Sequence, residues 1–234
     1  MLKVNNLNTF YGEFQVLHDV SLEVSDGELV AVFGPNGHGK STLLKTISGL
    51  LHPVSGSIKF DGEETAGWPA KRLVKKGIVY IAEDRHLFPQ MSVLNNLRLG
   101  AYNSRARSRE AENLERVFRL FPKLKLFANR RAGTLSGGEA RMLAIGRGLM
   151  SDAKFLAIDE PSFGLAPNLR LEVFERIKEI NRSGITVLMV EQDVIEASEY
   201  ADRIYLMEDG RIVFEGSKDE VMSNKHVREV FLGI

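Results

Sequence analysis

Residues 34–41 read Gly34-Pro35-Asn36-Gly37-His38-Gly39-Lys40-Ser41, directly after the apolar run ELVAVF and directly before the helical pattern STLLKTISGL. No other segment narrows the fold as much. A G-x-x-x-x-G-K-[ST] turn between a buried strand and a helix gathers backbone N–H groups and the positive end of the helix dipole at one point, which suits phosphate. The glycines let the chain wrap the anion, Lys40 is placed to reach β- and γ-phosphates, and Ser41 offers a hydroxyl to Mg²⁺, with Thr42 beside it. His38 fills an unrestricted position of the pattern, so it is expected to line the loop and not to catalyse. The alternative, a glycine-rich turn with a surface lysine, is disfavoured by the strand and helix on either side.

Short Val- and Ile-rich runs recur at 29–33, 77–81, 155–158 and 185–190, separated by helical patterns near 39–50, 69–76, 167–181 and 194–200. Near-continuous apolar strands are buried on both faces, and their alternation with helices predicts an α/β fold around a parallel sheet. The first 25 residues alternate like half-buried strands, and Asp209-Gly210 between two short apolar runs is a hairpin signal. An antiparallel β layer is therefore expected beside the parallel core. Residues 84–150 read as helices near 93–101, 108–121 and 136–150, with the polar stretch AYNSRARSRE expected to be a mobile surface connection. The organisation expected is one domain over 1–234, with 1–83 and 151–234 forming the α/β core and 84–150 an inserted helical subdomain.

Composition removes several classes of function. With no cysteine among 234 residues, disulfides, thiolate metal sites and cysteine nucleophiles are excluded. The 31 basic and 31 acidic residues balance, so nothing in the total suggests a nucleic-acid binder. Residues 84–150, however, hold 13 Lys and Arg against 5 Asp and Glu. That excess reads either as a solvated helical face or as a surface near anionic headgroups or an acidic partner. No apolar stretch approaches the roughly 20 residues of a spanning helix, and the opening MLKVNNLNTF has no apolar core, so a cytosolic chain without a secretory signal is expected.

Phe155-Leu-Ala-Ile-Asp159-Glu160 ends a buried strand on two carboxylates, where ligands of open α/β sheets collect. Asp159 suits Mg²⁺ through water, and Glu160 is the candidate for polarising an attacking water. A capped strand turning at Pro161 would look the same. Thr134-Leu135-Ser136-Gly137-Gly138-Glu139 then opens another helix on glycines, an anion site without a lysine of its own.

With GPNGHGKST, LSGGE and FLAIDEPS in that order, the chain resembles the ATP-binding cassette family over essentially its whole length. The resemblance implies a P-loop NTPase core and a head-to-tail pair of cassettes with ATP and Mg²⁺ between them, Ser136, Gly137 and Gly138 acting on the nucleotide of the other cassette. It implies that Tyr11 stacks on adenine, although Tyr11 also reads as an ordinary strand aromatic. Lys40, Glu160 and Gln192 carry the catalysis in this reading. Two matched positions depart from the family's commonest residues: Glu83 where glutamine is usual, a possible contact to Mg²⁺ or water, and Gln192 where many members carry a histidine. Glutamine donates a hydrogen bond but does not titrate near neutrality, so no mechanism here can use it as a proton carrier. Ala166 stands where many cassettes have aspartate, and Ala140-Arg141 where the nearest branch has Gln-Gln.

The segments LSGGE, SFGLAP, VEQ and the closing VREVFLG resemble the ATPase subunits of branched-chain amino-acid importers and their urea and amide relatives. Partners implied are transmembrane permease subunits docking beside residues 83–89, a second cassette, identical or related, and, indirectly, an external solute-binding protein. The place implied is the cytoplasmic face of the inner membrane. Lipopolysaccharide-export ATPases and non-transport cassettes are the alternatives; those of chromosome maintenance or DNA repair would carry a long heptad-bearing insertion, which residues 42–135 lack, and translation-associated ones would need two cassettes in one chain.

Overall fold

The computed structural model describes residues 1–224; the closing VREVFLG, residues 227–233, lies outside them. The chain runs β1 (Leu2–Tyr11), β2 (Phe14–Val24), β3 (Leu29–Phe33), α1 (Lys40–Ile47), β4 (Ser55–Phe60), β5 (Glu63–Glu64), α2 (Ala70–Lys76) and β6 (Ile78–Ile81). Helices α3 (Val93–Gly100), α4 (Ser104–Ser108), α5 (Glu110–Leu120), α6 (Pro122–Leu126) and α7 (Gly137–Leu149) follow. Then come β7 (Phe155–Asp159), α8 (Pro167–Arg182), β8 (Thr186–Glu191), α9 (Val194–Ser198), β9 (Arg203–Glu208), β10 (Arg211–Gly216) and α10 (Lys218–Ser223).

Strands order as β10-β9-β3-β8-β7-β6 in one sheet, parallel from β9 to β6 with β10 antiparallel at the edge, and as β2-β1-β4-β5 in a second, antiparallel sheet. The α/β core and its flanking layer are those expected. Every residue of β3, β7 and β8 is buried, and the pleat divides them between two cores. Leu29, Ala31 and Phe33 face the helices around α7. Val30 and Val32 face α1 and the antiparallel sheet. Two-sided burial explains why these strands show no polar alternation.

Two expectations change. Residues 55–64, read as no element, form β4 and β5 and complete the antiparallel layer through β1. The stretch AYNSRARSRE is anchored, not a loose connection. Asn103 caps α4 by accepting from the Ala106 N–H, Ala106 is fully buried, and Arg105 and Arg109 pair with Asp152. Polar composition hid a cap and two ion pairs, which no local pattern reveals. Of the arginines in 84–150, Arg98, Arg107, Arg109, Arg119, Arg130 and Arg131 are exposed, as on a solvated face, and Arg141 alone is buried.

Helix α7 forms the spine of the helical part, with Met142, Leu143, Ala144, Ile145 and Leu149 buried. Its neighbour α3 comes so close at Gly100 that an added Cβ would lie 2.0 Å from the Arg147 carbonyl oxygen. Only glycine permits that approach.

Candidate nucleotide site

The loop from β3 into α1 puts Gly37 at φ 83° and Gly39 at φ 97°, both left-handed. That geometry follows from the glycines and turns the loop around the start of α1. The Lys40 side chain is buried, its Nζ donating to the carbonyls of Gly34 (2.7 Å) and Pro35 (3.0 Å) and lying 3.4 Å from Glu160 Oε1. Ser41 Oγ donates to Asp159 Oδ1 at 2.8 Å. Asn36, Gly37, Gly39, Lys40, Ser41 and Thr42 line one cavity of about 300 Å³ with Glu83, Glu160 and Phe163. The loop, the end of β7 and the residue-83 loop therefore meet at one place.

Glu160 has φ 41°, unusual for a residue with a side chain, and its N–H donates to Val190 O at 3.0 Å. This turn directs its carboxylate toward Lys40 instead of letting it alternate away from Asp159 along the strand. Burial raises the Glu160 carboxyl above the ordinary range; Lys40 opposes the rise, while Glu83 and Asp159 add to it.

His38 faces the β9–β10 turn: Nδ1 accepts from the Asp209 N–H (2.9 Å) and its carbonyl from the Gly210 N–H (3.1 Å). Tyr11 is half-exposed at the end of β1 and is not among the cavity residues. It belongs to the hairpin whose second strand passes the phosphate loop, where a Cβ on Gly39 would meet Leu17 Cδ2 at 3.0 Å. Gln192 lines a separate cavity of about 440 Å³ that shares Glu160. Ser136, Gly137 and Gly138 are not among the residues lining the phosphate-loop cavity. Ser136 caps α7, its Oγ accepting from the Glu139 N–H while Glu139 Oε2 accepts from the Ser136 N–H. Ala166 precedes α8 without a side-chain cap.

Three side chains at the site escape sequence reading. The Tyr80 hydroxyl donates to Asp159 Oδ2 at 2.6 Å, and burial together with that bond pushes its own ionisation upward. A tyrosine in the otherwise apolar Ile78–Ile81 was the only signal. Glu191, buried at the end of β8, accepts from the Ser162 N–H (2.8 Å) and the Gln192 N–H (3.2 Å), so it ties the loop after Glu160 to Gln192. Burial pushes its carboxyl up to about 7 against those two hydrogen bonds. Arg141 is fully buried beneath the residue-83 loop.

The donor set suits a magnesium nucleotide. The glycine loop and one buried ammonium would meet phosphate, while a hydroxyl and a carboxylate 2.8 Å apart offer the hard oxygen ligands that Mg²⁺ takes. No cluster of three acidic or histidine side chains able to hold a metal exists among the described residues, so such a cation would share its ligands with the phosphates.

Comparison with known proteins agrees. The chain belongs to the ABC transporter family, whose pattern matches residues 17–163. It is 44% identical over 233 residues to the high-affinity branched-chain amino acid transport ATP-binding protein BraG of Pseudomonas aeruginosa, covering all of both chains. It is 36% identical to a probable branched-chain amino acid transport ATP-binding protein LivF of Archaeoglobus fulgidus, covering 100% of this chain and 99% of that one. A solved ATP-binding cassette of an ABC transporter in its ADP conformation superposes with a TM-score of 0.89 at 32% identity, covering 100% and 99% of the two chains. A dimeric cassette in a post-hydrolysis state with ADP and phosphate does so with a TM-score of 0.78 at 28% identity, covering 93% and 98%. The chain is thus an ATP-binding cassette with ATPase activity.

Proposed function

We propose that this chain is the motor subunit of an importer for branched-chain amino acids or closely related small amino acids and amides. Its end-to-end likeness to BraG supports the solute class. The observation that carries the chemistry is the convergence of Lys40, Ser41, Asp159 and Glu160 on the glycine loop.

In this reading the loop N–H groups and Lys40 hold the β- and γ-phosphates. Ser41 and Asp159 hold Mg²⁺, which when bound offsets phosphate charge. Glu160, desolvated and of raised proton affinity, orients and deprotonates the attacking water. Glu83 and Gln192 approach the same nucleotide from two loops, with Gln192 donating a hydrogen bond. Tyr11 stacks on the base. Ser136–Gly138 do not line the cavity around Lys40, which supports assigning their part in hydrolysis to the nucleotide of a second cassette.

No helix among the described residues is long and apolar enough to cross a membrane, so permeation is assigned to separate subunits. A cleft of about 470 Å³ beside the residue-83 loop supports their docking. Val79, Ile81, Leu99 and the exposed Phe88 and Tyr102 line it, an apolar seat for a helix on the inner face of the membrane. A solute-binding protein would act at one remove, and no nucleic acid is involved.

Co-expression with the neighbouring permease genes tests the reading. Copurification from membranes, and hydrolysis stimulated by leucine, isoleucine or valine more than by urea or amides, are the expected results. A monomeric, permease-free pool under every nucleotide condition would remove the transport role.

A further inference from the structure

Residues 82–86, which bring Glu83 to the nucleotide cavity, are fastened by two arginines of α7. Arg141 of α7 donates from Nη1 to the Ala82 carbonyl (3.1 Å) and from Nη2 to the Glu83 carbonyl (2.8 Å). Arg147, further along α7, donates to the carbonyls of His86 (2.7 Å) and Arg85 (2.8 Å). Within that loop Arg85 and His86 have φ of 64° and 44°. Side-chain-bearing residues stay in such conformations only where their surroundings over-determine them, and four carbonyls fastened by two guanidinium forks do so.

Arg141 is costly to keep there. It is fully buried and its Nε has no partner. Two neutral carbonyls do not repay the lost hydration of a cation. Burial pulls the guanidinium down to about 10 and Arg85 adds to this, while Glu191, Glu83 and Asp159 act the other way. The guanidinium thus sits where Glu83, Glu191 and Asp159 favour its charge, while its hydrogen bonds go to the Ala82 and Glu83 carbonyls.

We infer that Arg141 is a positioning residue for Glu83: its fork sets the backbone from which Glu83 reaches the nucleotide cavity, and its buried charge balances the carboxylate at that position. Since α7 opens at Ser136–Gly138, the same guanidinium makes the Glu83 loop and that helix start one mechanical piece. The inference rests on the nucleotide reading of the cavity and goes beyond it by giving Arg141 a role through Glu83.

The test is a double-mutant cycle in the full chain with hydrogen exchange as a second readout. R141Q is expected to lower kcat for MgATP about tenfold with KM changed less than about twofold, and E83A to lower kcat by a similar factor. The R141Q/E83A double variant should be no slower than E83A within about twofold, because Arg141 then has no side chain at position 83 left to place. R141K, which keeps the charge but not the fork, should fall between wild type and R141Q. The amides of Arg85 and His86, which bond to Ala82 O and Asp84 O, should exchange about tenfold faster in R141Q.

Losses that multiply in the double variant, or unchanged exchange at residues 85 and 86, overturn the proposal. If R141Q does not fold, R141K carries the same cycle. Wild-type protein that binds but never hydrolyses MgATP would count against the ATPase reading, and the exchange arm would still decide the role of Arg141.

Discussion

Asp159 has both carboxylate oxygens engaged by hydroxyls, Oδ1 by Ser41 at 2.8 Å and Oδ2 by Tyr80 at 2.6 Å. One donor lies in the first turn of α1 and the other on β6, so two separate elements fix the carboxylate. With Asp159 as the cation-side ligand, Asp159→Asn should lower Mg²⁺-dependent hydrolysis at least about a hundredfold. ATP binding measured in EDTA should stay within a few-fold of wild type. Equal losses with and without Mg²⁺ would make Asp159 a scaffold residue instead.

Glu160→Gln keeps the size and the left-handed turn but removes the base. Hydrolysis should drop about 10²–10⁴-fold, the range for a lost general base. Binding of ATP should persist and accumulate a two-cassette complex on size exclusion. A variant that turns over at the wild-type rate would dismiss Glu160 from the role.

Glu191 gives a pH signature in stability. Its carboxyl is raised from an ordinary 4.5 to about 7, so between those values the folded chain keeps a proton that the unfolded chain has released. Stability from this group is therefore greatest below pH 4.5 and falls as pH rises toward 7. The loss is on the order of 3 kcal/mol at most, from about 1.4 kcal/mol per unit. Urea midpoints for wild type and Glu191→Gln, compared from pH 4.5 to 7.5, should show the wild type losing ground with pH relative to the variant. Parallel curves would mean that Glu191 titrates normally.

Gly100→Ala places a methyl 2.0 Å from the Arg147 carbonyl oxygen, a backbone atom that cannot swing away. The α3–α7 contact must open, at about 1–3 kcal/mol. Thermal unfolding should fall by several degrees. An unchanged midpoint would show that α3 shifts freely.

What the sequence disclosed and what it withheld divide along physical lines. The runs at 29–33, 77–81, 155–158 and 185–190 fall on β3, β6, β7 and β8 to within a residue at either end, because two-sided burial writes itself into consecutive apolar residues. The glycine loop and the Asp159–Glu160 strand end were legible because their chemistry needs particular residues in contiguous order. Tyr80, Glu191 and Arg141 were not, since each acts on a backbone or carboxylate group distant or hidden in sequence, and one polar residue in an apolar strand carries no direction. The segment AYNSRARSRE misled for the same reason: two of its arginines, Arg105 and Arg109, answer Asp152, far along the chain.

The first turn of α7 closes on itself, the Glu139 carboxylate already accepting from the Ser136 N–H. If, as proposed, a phosphate held by a second cassette docks here, it would have to displace one negative acceptor to gain another and would keep only the difference between them. A helix end arranged in this way would clasp lightly and let go readily.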